Sequence, residues 1–184
     1  MNQFPKWATE EVVIEPYSDQ WPVVAQELIS ELSATLGSDA LAIEHIGSTS
    51  IPALAAKPII DIMVMMKDFN AIDRAAHRLT ETHPAWNLVP AELDERPWRR
   101  FMVKVVADHR FAHLHLVPEG QQRWREHISF REALRADSRL VEQYAALKFD
   151  LAELHRNDRE GYTEGKAEFI RSVLSGYASG KLTS

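Results

Sequence analysis

The stretch Ile43-Glu44-His45-Ile46-Gly47-Ser48-Thr49-Ser50-Ile51-Pro52-Ala53-Leu54-Ala55-Ala56-Lys57-Pro58-Ile59-Ile60-Asp61-Ile62-Met63-Val64 decides how this chain is read. A short strand runs into a Gly-Ser turn. A brief link follows, with Thr49 to Ala56 as a short helix or turn. The run from Ile59 to Met66 is apolar on both faces and therefore reads as a central strand. One carboxylate, Asp61, interrupts it. Burying a charge in such a run is costly unless something pairs with it. Asp61 is accordingly a candidate catalytic group or metal ligand, and Gly47-Ser48 a candidate phosphate cradle.

The composition sets limits around this motif. At 184 residues, 45% hydrophobic and 26% charged, the chain suits one domain with an ordinary core, so residues 1–184 are expected to form a single unit. The absence of cysteine excludes disulfides and thiolate metal sites and is compatible with the cytoplasm. Met1-Asn2-Gln3-Phe4-Pro5-Lys6 lacks a basic-then-apolar leader pattern, and no apolar run is long enough to span a bilayer. A net charge of −6 argues against nucleic acid or anionic membrane as partners. It leaves room for a small basic pocket that takes a nucleotide or other phosphorylated molecule.

Working outward, Glu11 to Glu15 reads as a first strand. Ser18 or Asp19 caps a helix that ends near Leu36 with Gly37 as its stop. Val24, Leu28, Leu32 and Leu36 give that helix an apolar face. Asp68 caps a second helix, from about Asn70 to Thr82, closed by His83-Pro84. Trp86 to Val89 is a possible strand and Ala91 to Pro97 a loop. Phe101 to Val106 and Arg110 to Val117 form a hairpin through Ala107-Asp108-His109. From about residue 120 to 178 the pattern is helical: Gln121 to Arg135, Ser138 to His155, and Asp158 to Tyr177.

Several blocks, taken together, resemble the GrpB family: Glu44-His45-Ile46-Gly47-Ser48-Thr49-Ser50, Ala55-Ala56-Lys57-Pro58-Ile59-Ile60-Asp61-Ile62, His113-Leu114-His115, Phe130-Arg131, Tyr144-Ala145-Ala146-Leu147-Lys148 and Tyr162-Thr163-Glu164-Gly165-Lys166. They run in order over nearly the whole chain. The resemblance implies an α+β, nucleotidyltransferase-like fold: a mixed sheet flanked by helices, with a helical C-terminal part. Some members of that family are fused to a dephospho-coenzyme A kinase. The family resemblance implies a scaffold and a site more than a substrate.

Nucleotidyl transfer needs a held triphosphate, neutralised charge and an aligned acceptor. A Gly-Ser turn offers backbone N–H donors and a hydroxyl to phosphate. In the nucleotidyltransferase superfamily two carboxylates, two residues apart on one strand face, hold Mg²⁺ or Mn²⁺. Here Asp61 takes the first position and Met63 the second, and a thioether is a poor ligand for a hard cation. His113 and His115 share one strand face and could complete a two-histidine, one-carboxylate set with Asp61, which suits a transition metal. His45, beside Glu44, is a candidate general base. Lys57, Lys104 and Arg110 are candidate phosphate ligands, and Lys148 and Lys166 match recurrent family positions that could line the cleft.

Each of these residues has a plainer reading. His113 and His115 can simply pack on a half-exposed sheet face, and Lys148 and Lys166 can be solvated helix charges. Tyr144 and Tyr162 read as packing residues, the five tryptophans as core or edge anchors, and His77, His83, His109, His127 and His155 as surface residues. Three functions follow as expectations: a metal-dependent transferase moving a nucleotidyl or phosphoryl-containing group to a small acceptor, a non-catalytic binder of a nucleotide or phosphorylated metabolite, or a transition-metal enzyme.

Overall fold

A computed structural model describes residues 5–178. Five strands form one mixed sheet: β1 (Ala40–Ile46), β2 (Ile60–Met66), β3 (Trp86–Leu88), β4 (Arg100–Val106) and β5 (His109–Pro118), in the spatial order β1-β2-β5-β4-β3. β2 and β5 run parallel; the other neighbours are antiparallel. Among the described residues seven α-helices accompany it: α1 (Gln20–Leu36), α2 (Phe69–Thr82), α3 (Ala91–Asp94), α4 (Gln122–Ala136), α5 (Ser138–Leu154), α6 (Arg159–Glu164) and α7 (Ala167–Ala178). The expected mixed sheet with a helical C-terminal part is the architecture found. Among the described residues no helix is long and apolar enough to cross a membrane.

Strand alternation divides the side chains between two layers. Ile60, Ile62, Val64 and Met66 of β2, with Ala112, Leu114 and Leu116 of β5, pack against Ala25, Leu28, Leu32 and Leu36 of α1 and Ile72, Ala75 and Leu79 of α2. This is the main core. Asp68 caps α2 as expected, its carboxylate accepting from the Ala71 N–H at 2.8 Å. The opposite face of β2 and β5 carries Asp61, Met63, His113, His115 and Val117 in lateral register, Asp61 beside His113 and Met63 beside His115. α4 closes over the Met63 end of this face, where Trp124 and Ile128 pack on Ile46, Met63 and Val117. Behind it, Ile51 and Leu54 of the β1–β2 link pack with Ala133, Leu134, Tyr144 and Val173 of the helical tail.

Four local expectations are corrected. Glu11 to Glu15 is not a strand; it makes one isolated bridge, Glu15 with Ala56, because no neighbouring strand edge runs beside it. The 91–97 segment contains the short helix α3, begun after Pro90 and ended at Glu95 in the left-handed region. The cap of α5 is Asp137, whose carboxylate accepts from Arg139 N, and not Ser138. The expected last helix is two, α6 and α7, broken at Gly165-Lys166. At Gly165 a Cβ would lie 2.4 Å from Leu151 Cδ2, so a larger residue there would require the Leu151 side chain to shift.

Candidate functional site

Between the His-bearing sheet face and the helical tail lies a cavity of about 890 Å³. Gly47 and Ser48 from the β1–β2 link, Asp61, His113 and His115 from the sheet, and Lys57, Arg110 and Lys166 all line it. Gly47 has φ +70°, and a Cβ on it would meet Asp61 Oδ2 at 2.5 Å, so only glycine lets the turn close over the carboxylate. After it, Ser48–Ser50 form a single 3₁₀ turn, held by Ser50 Oγ donating to the Gly47 carbonyl at 2.6 Å.

Asp61 is the hub of a buried polar chain. His113 Nδ1 lies 2.9 Å from its Oδ1 and His115 Nε2 lies 3.6 Å from the same oxygen. Burial alone would raise the Asp61 pKa, but the two imidazole partners hold it well below the ordinary carboxylate range. Burial lowers the His113 pKa, and pushes His115 down to about 3, with the Arg99 charge acting in the same direction. The pair is therefore a carboxylate and a neutral imidazole: His113 donates through Nδ1, and its Nε2 is left as an acceptor. That Nε2, like His115 Nε2, is buried without a hydrogen-bond partner. Unsatisfied buried polar atoms are rare and mark sites of function or strain.

The chain continues through Arg99, which donates to His115 Nδ1 and is gripped by Asp94 through Nε–Oδ2 at 2.9 Å and Nη2–Oδ1 at 2.5 Å. An arginine has only donors, so His115 must accept at Nδ1 and carry its proton on Nε2, directed at Asp61. Arg99 also stacks on Phe101, 4.0 Å from the ring centroid, and beside Trp98 at 5.1 Å. His127 of α4 completes the wall near Trp98 and His115, its pKa pushed down to about 4 first by burial.

The basic side of the cavity centres on Tyr162. The ammonium groups of Lys57 and Lys166 lie 4.6 and 4.3 Å from its ring centroid. Desolvation first, then neighbouring cations, lowers Lys57 to about 7; desolvation lowers Lys166 to about 8. Arg110 donates to the Trp7 carbonyl at 2.8 Å and stacks on that ring, tying the segment around Trp7 across the cavity edge.

Three expected site residues lie elsewhere. His45 is opposite Ile62 and so faces away from Asp61; its Nε2 meets Thr49 Oγ1 at 2.9 Å. Lys104 shares the α1 side of the sheet and binds Glu31 at 2.7 Å, because β4 alternation turns it from the cavity. Lys148 is 1% exposed and donates to the Ala55 carbonyl, which makes it a brace for the β1–β2 link. Glu44 is held by Arg131 at 2.8 Å.

The donor set does not fit the metal that the fold leads one to expect. Met63 fills the second acid position and is packed among Ile46 and Val117, Glu44 opposite it on β1 is held by Arg131 at 2.8 Å, and Asp61 Oδ1 already accepts from His113. The two-histidine, one-carboxylate arrangement is also corrected. His113 spends on Asp61 the nitrogen that faces it, and Arg99 places a fixed positive charge on His115. Among the described residues no group of three His, Cys, Asp or Glu side chains is arranged to hold a metal ion.

Arg99 and Arg159 escaped the sequence reading, and Arg131 entered it only through the family resemblance. Trp98, Tyr144 and Tyr162 line the cavity although read as anchors or packing residues. His127, read as a surface residue, is corrected because α4 packs it into the cavity wall beside His115. The Tyr144/Lys148 and Tyr162/Lys166 pairs, each four apart, carried a usable signal, since helix neighbours at that spacing bring an ammonium to a ring.

Comparison with known proteins adds context. The sequence profile described as GrpB protein matches residues 11–175. The UPF0157 protein YqkA of Bacillus subtilis is 31% identical over 94% of this chain, which spans about half (49%) of that protein's length. Glutamate-rich protein GrpB of Alkalihalophilus pseudofirmus is 28% identical over 90% of this chain and 95% of its own. The crystal structure of GrpB from Enterococcus faecalis superposes with a TM-score of 0.79 at 26% identity, covering 92% of this chain and 99% of that one. A Cid1 poly(U) polymerase structure with Mg 3′-dATP bound reaches a TM-score of 0.55 at 14% identity, over 83% of this chain and 49% of that one, a likeness of fold.

Proposed function

From the premise that the chain belongs to the GrpB family, we propose that its cleft binds a nucleotide or another phosphorylated small molecule and transfers a nucleotidyl or phosphoryl-containing group to a small acceptor. One observation carries the reading: on a nucleotidyltransferase-like sheet, the Asp61–His113 pair faces the same cavity as the unpaired Lys57 and Lys166. Lysines and the Gly47-Ser48 turn would hold phosphate oxygens. Asp61 would fix the His113 tautomer, as an orienting carboxylate does in a catalytic triad. His113 Nε2 would then take the proton of the acceptor hydroxyl or amine as its oxygen or nitrogen bonds to phosphorus. The displaced group leaves with the bond's electron pair, as pyrophosphate in nucleotidyl transfer or as a nucleoside diphosphate in phosphoryl transfer.

Incubating the purified chain with labelled nucleoside triphosphates and pooled small acceptors, followed by ³¹P NMR, tests this. The expected result is product or pyrophosphate release that Asp61→Asn and His113→Asn abolish. Turnover unchanged in both variants would sink it. Met63 favours a second reading, non-catalytic binding, in which ligand binds and no product forms.

A further inference from the structure

Lys57 and Lys166 differ from the other cations of the cavity in what they lack. Arg96 is paired with Glu160, Arg99 with Asp94, Arg131 with Glu44 and Glu132, and Arg159 with Glu10, while Arg110 is committed to the Trp7 carbonyl. Among the described residues, neither lysine has a carboxylate within ion-pair distance; each rests on Tyr162 instead. A desolvated cation without a counter-ion is unfavourable. An aromatic face returns only about 0.5–2 kcal/mol. The two side chains come from separate parts of the chain, the residue before Pro58 and the break between α6 and α7, yet converge on one ring. Across the cavity, the position where a second metal-binding acid would stand is an apolar methionine in a packed cluster.

We propose that Lys57 and Lys166 form a metal-independent clamp for a phosphoryl group of the ligand, supplying from the chain itself the positive charge that a resident divalent cation would otherwise bring. The inference rests on the proposal that the ligand is phosphorylated. Its chemical class is an anion with at least two charges on adjacent oxygens, a terminal phosphate or a pyrophosphate. Two ammonium donors can each meet one oxygen, and the desolvated setting strengthens both contacts.

Calorimetric titration of the full chain with ATP and with inorganic pyrophosphate, in excess chelator and again with added Mg²⁺ or Mn²⁺, tests the clamp. Binding in chelator within about threefold of that with metal is expected. Lys57→Met and Lys166→Met should each weaken it about tenfold or more, the loss of one charge-assisted hydrogen bond. Lys57→Arg and Lys166→Arg should retain most of it, and circular dichroism would confirm that every variant is folded. Asp61→Asn should bind as well or better, since it removes a negative charge. Binding that requires added metal and disappears in Asp61→Asn would overturn the clamp while leaving the phosphorylated-ligand reading standing. No binding to either probe, with or without metal, would overturn the clamp and, with it, the reading of the ligand as a nucleotide.

Discussion

Gly47 and Asp61 approach so closely that a single methyl group on the glycine would stand 2.5 Å from Asp61 Oδ2. The turn and the carboxylate are therefore one structural unit. Gly47→Ala must move one of them and must hold an L-residue at φ +70°. A loss of about 2–4 kcal/mol is expected from the combined backbone and overpacking penalties. Urea unfolding measures it, and a midpoint indistinguishable from wild type would contradict the geometry.

Arg99 is buried between Asp94 and His115, so Arg99→Met strips the buried Asp94 carboxylate of both its close hydrogen bonds and leaves it only a long contact to Arg96 at 3.8 Å. The expected destabilisation is about 3–5 kcal/mol. Replacing both partners, as in Asp94→Leu with Arg99→Met, should recover a large part of it, because no lone charge remains. Failure of the double variant to recover stability would indicate that the pair acts mainly through His115.

Acid should unfold the protein earlier than carboxylates alone dictate. His45 and His127 have pKa values lowered to about 4 and His115 to about 3, each first by burial. A depressed folded value means that the unfolded chain binds the proton more readily. The stability these groups contribute is therefore complete above about 6.5 and is lost as pH falls toward 4. Asp61, also depressed, adds loss below about 4. Denaturant midpoints across this range should drop by a slope of more than one proton per molecule. A flat profile between about pH 6.5 and 4.5 would refute it.

Lys57 and Lys148 should separate by role. Lys57→Met removes a desolvated cation and is expected to stabilise the fold by about 0.5–2 kcal/mol, the signature of a group kept for function. Lys148→Met removes the donor to Ala55 and should destabilise by about 1–3 kcal/mol. Thermal unfolding of the two variants side by side checks the opposite signs; equal signs would reject the distinction.

Much of the architecture was legible because periodicity carries it. The apolar run at Ile59–Met66 marked the central strand, and the spacing of Leu28, Leu32 and Leu36 marked the buried face of α1. The period-two pair His113 and His115 correctly shared a face with each other, and the structure puts Asp61 beside them. What stayed hidden depends on contacts between distant segments. Arg99 joins the site through Asp94 and His115, and His127 reaches it only because α4 packs over the sheet. Lys104 misled because strand alternation, read without register, does not say which face looks inward. Lys148 misled because a buried lysine bound to a carbonyl has the same sequence signature as a solvated one.

The parallel pairing of β2 and β5 carries a kinetic consequence. Asp61 and His113 meet across a sequence separation of 52, through a parallel pairing that no hairpin can close. Such non-local pairings form late, after the loop-closure entropy has been overcome. Binding competence in this protein should thus arrive in one step with the closure of the sheet, so that ligand capture during refolding serves as a clock for the last event of folding.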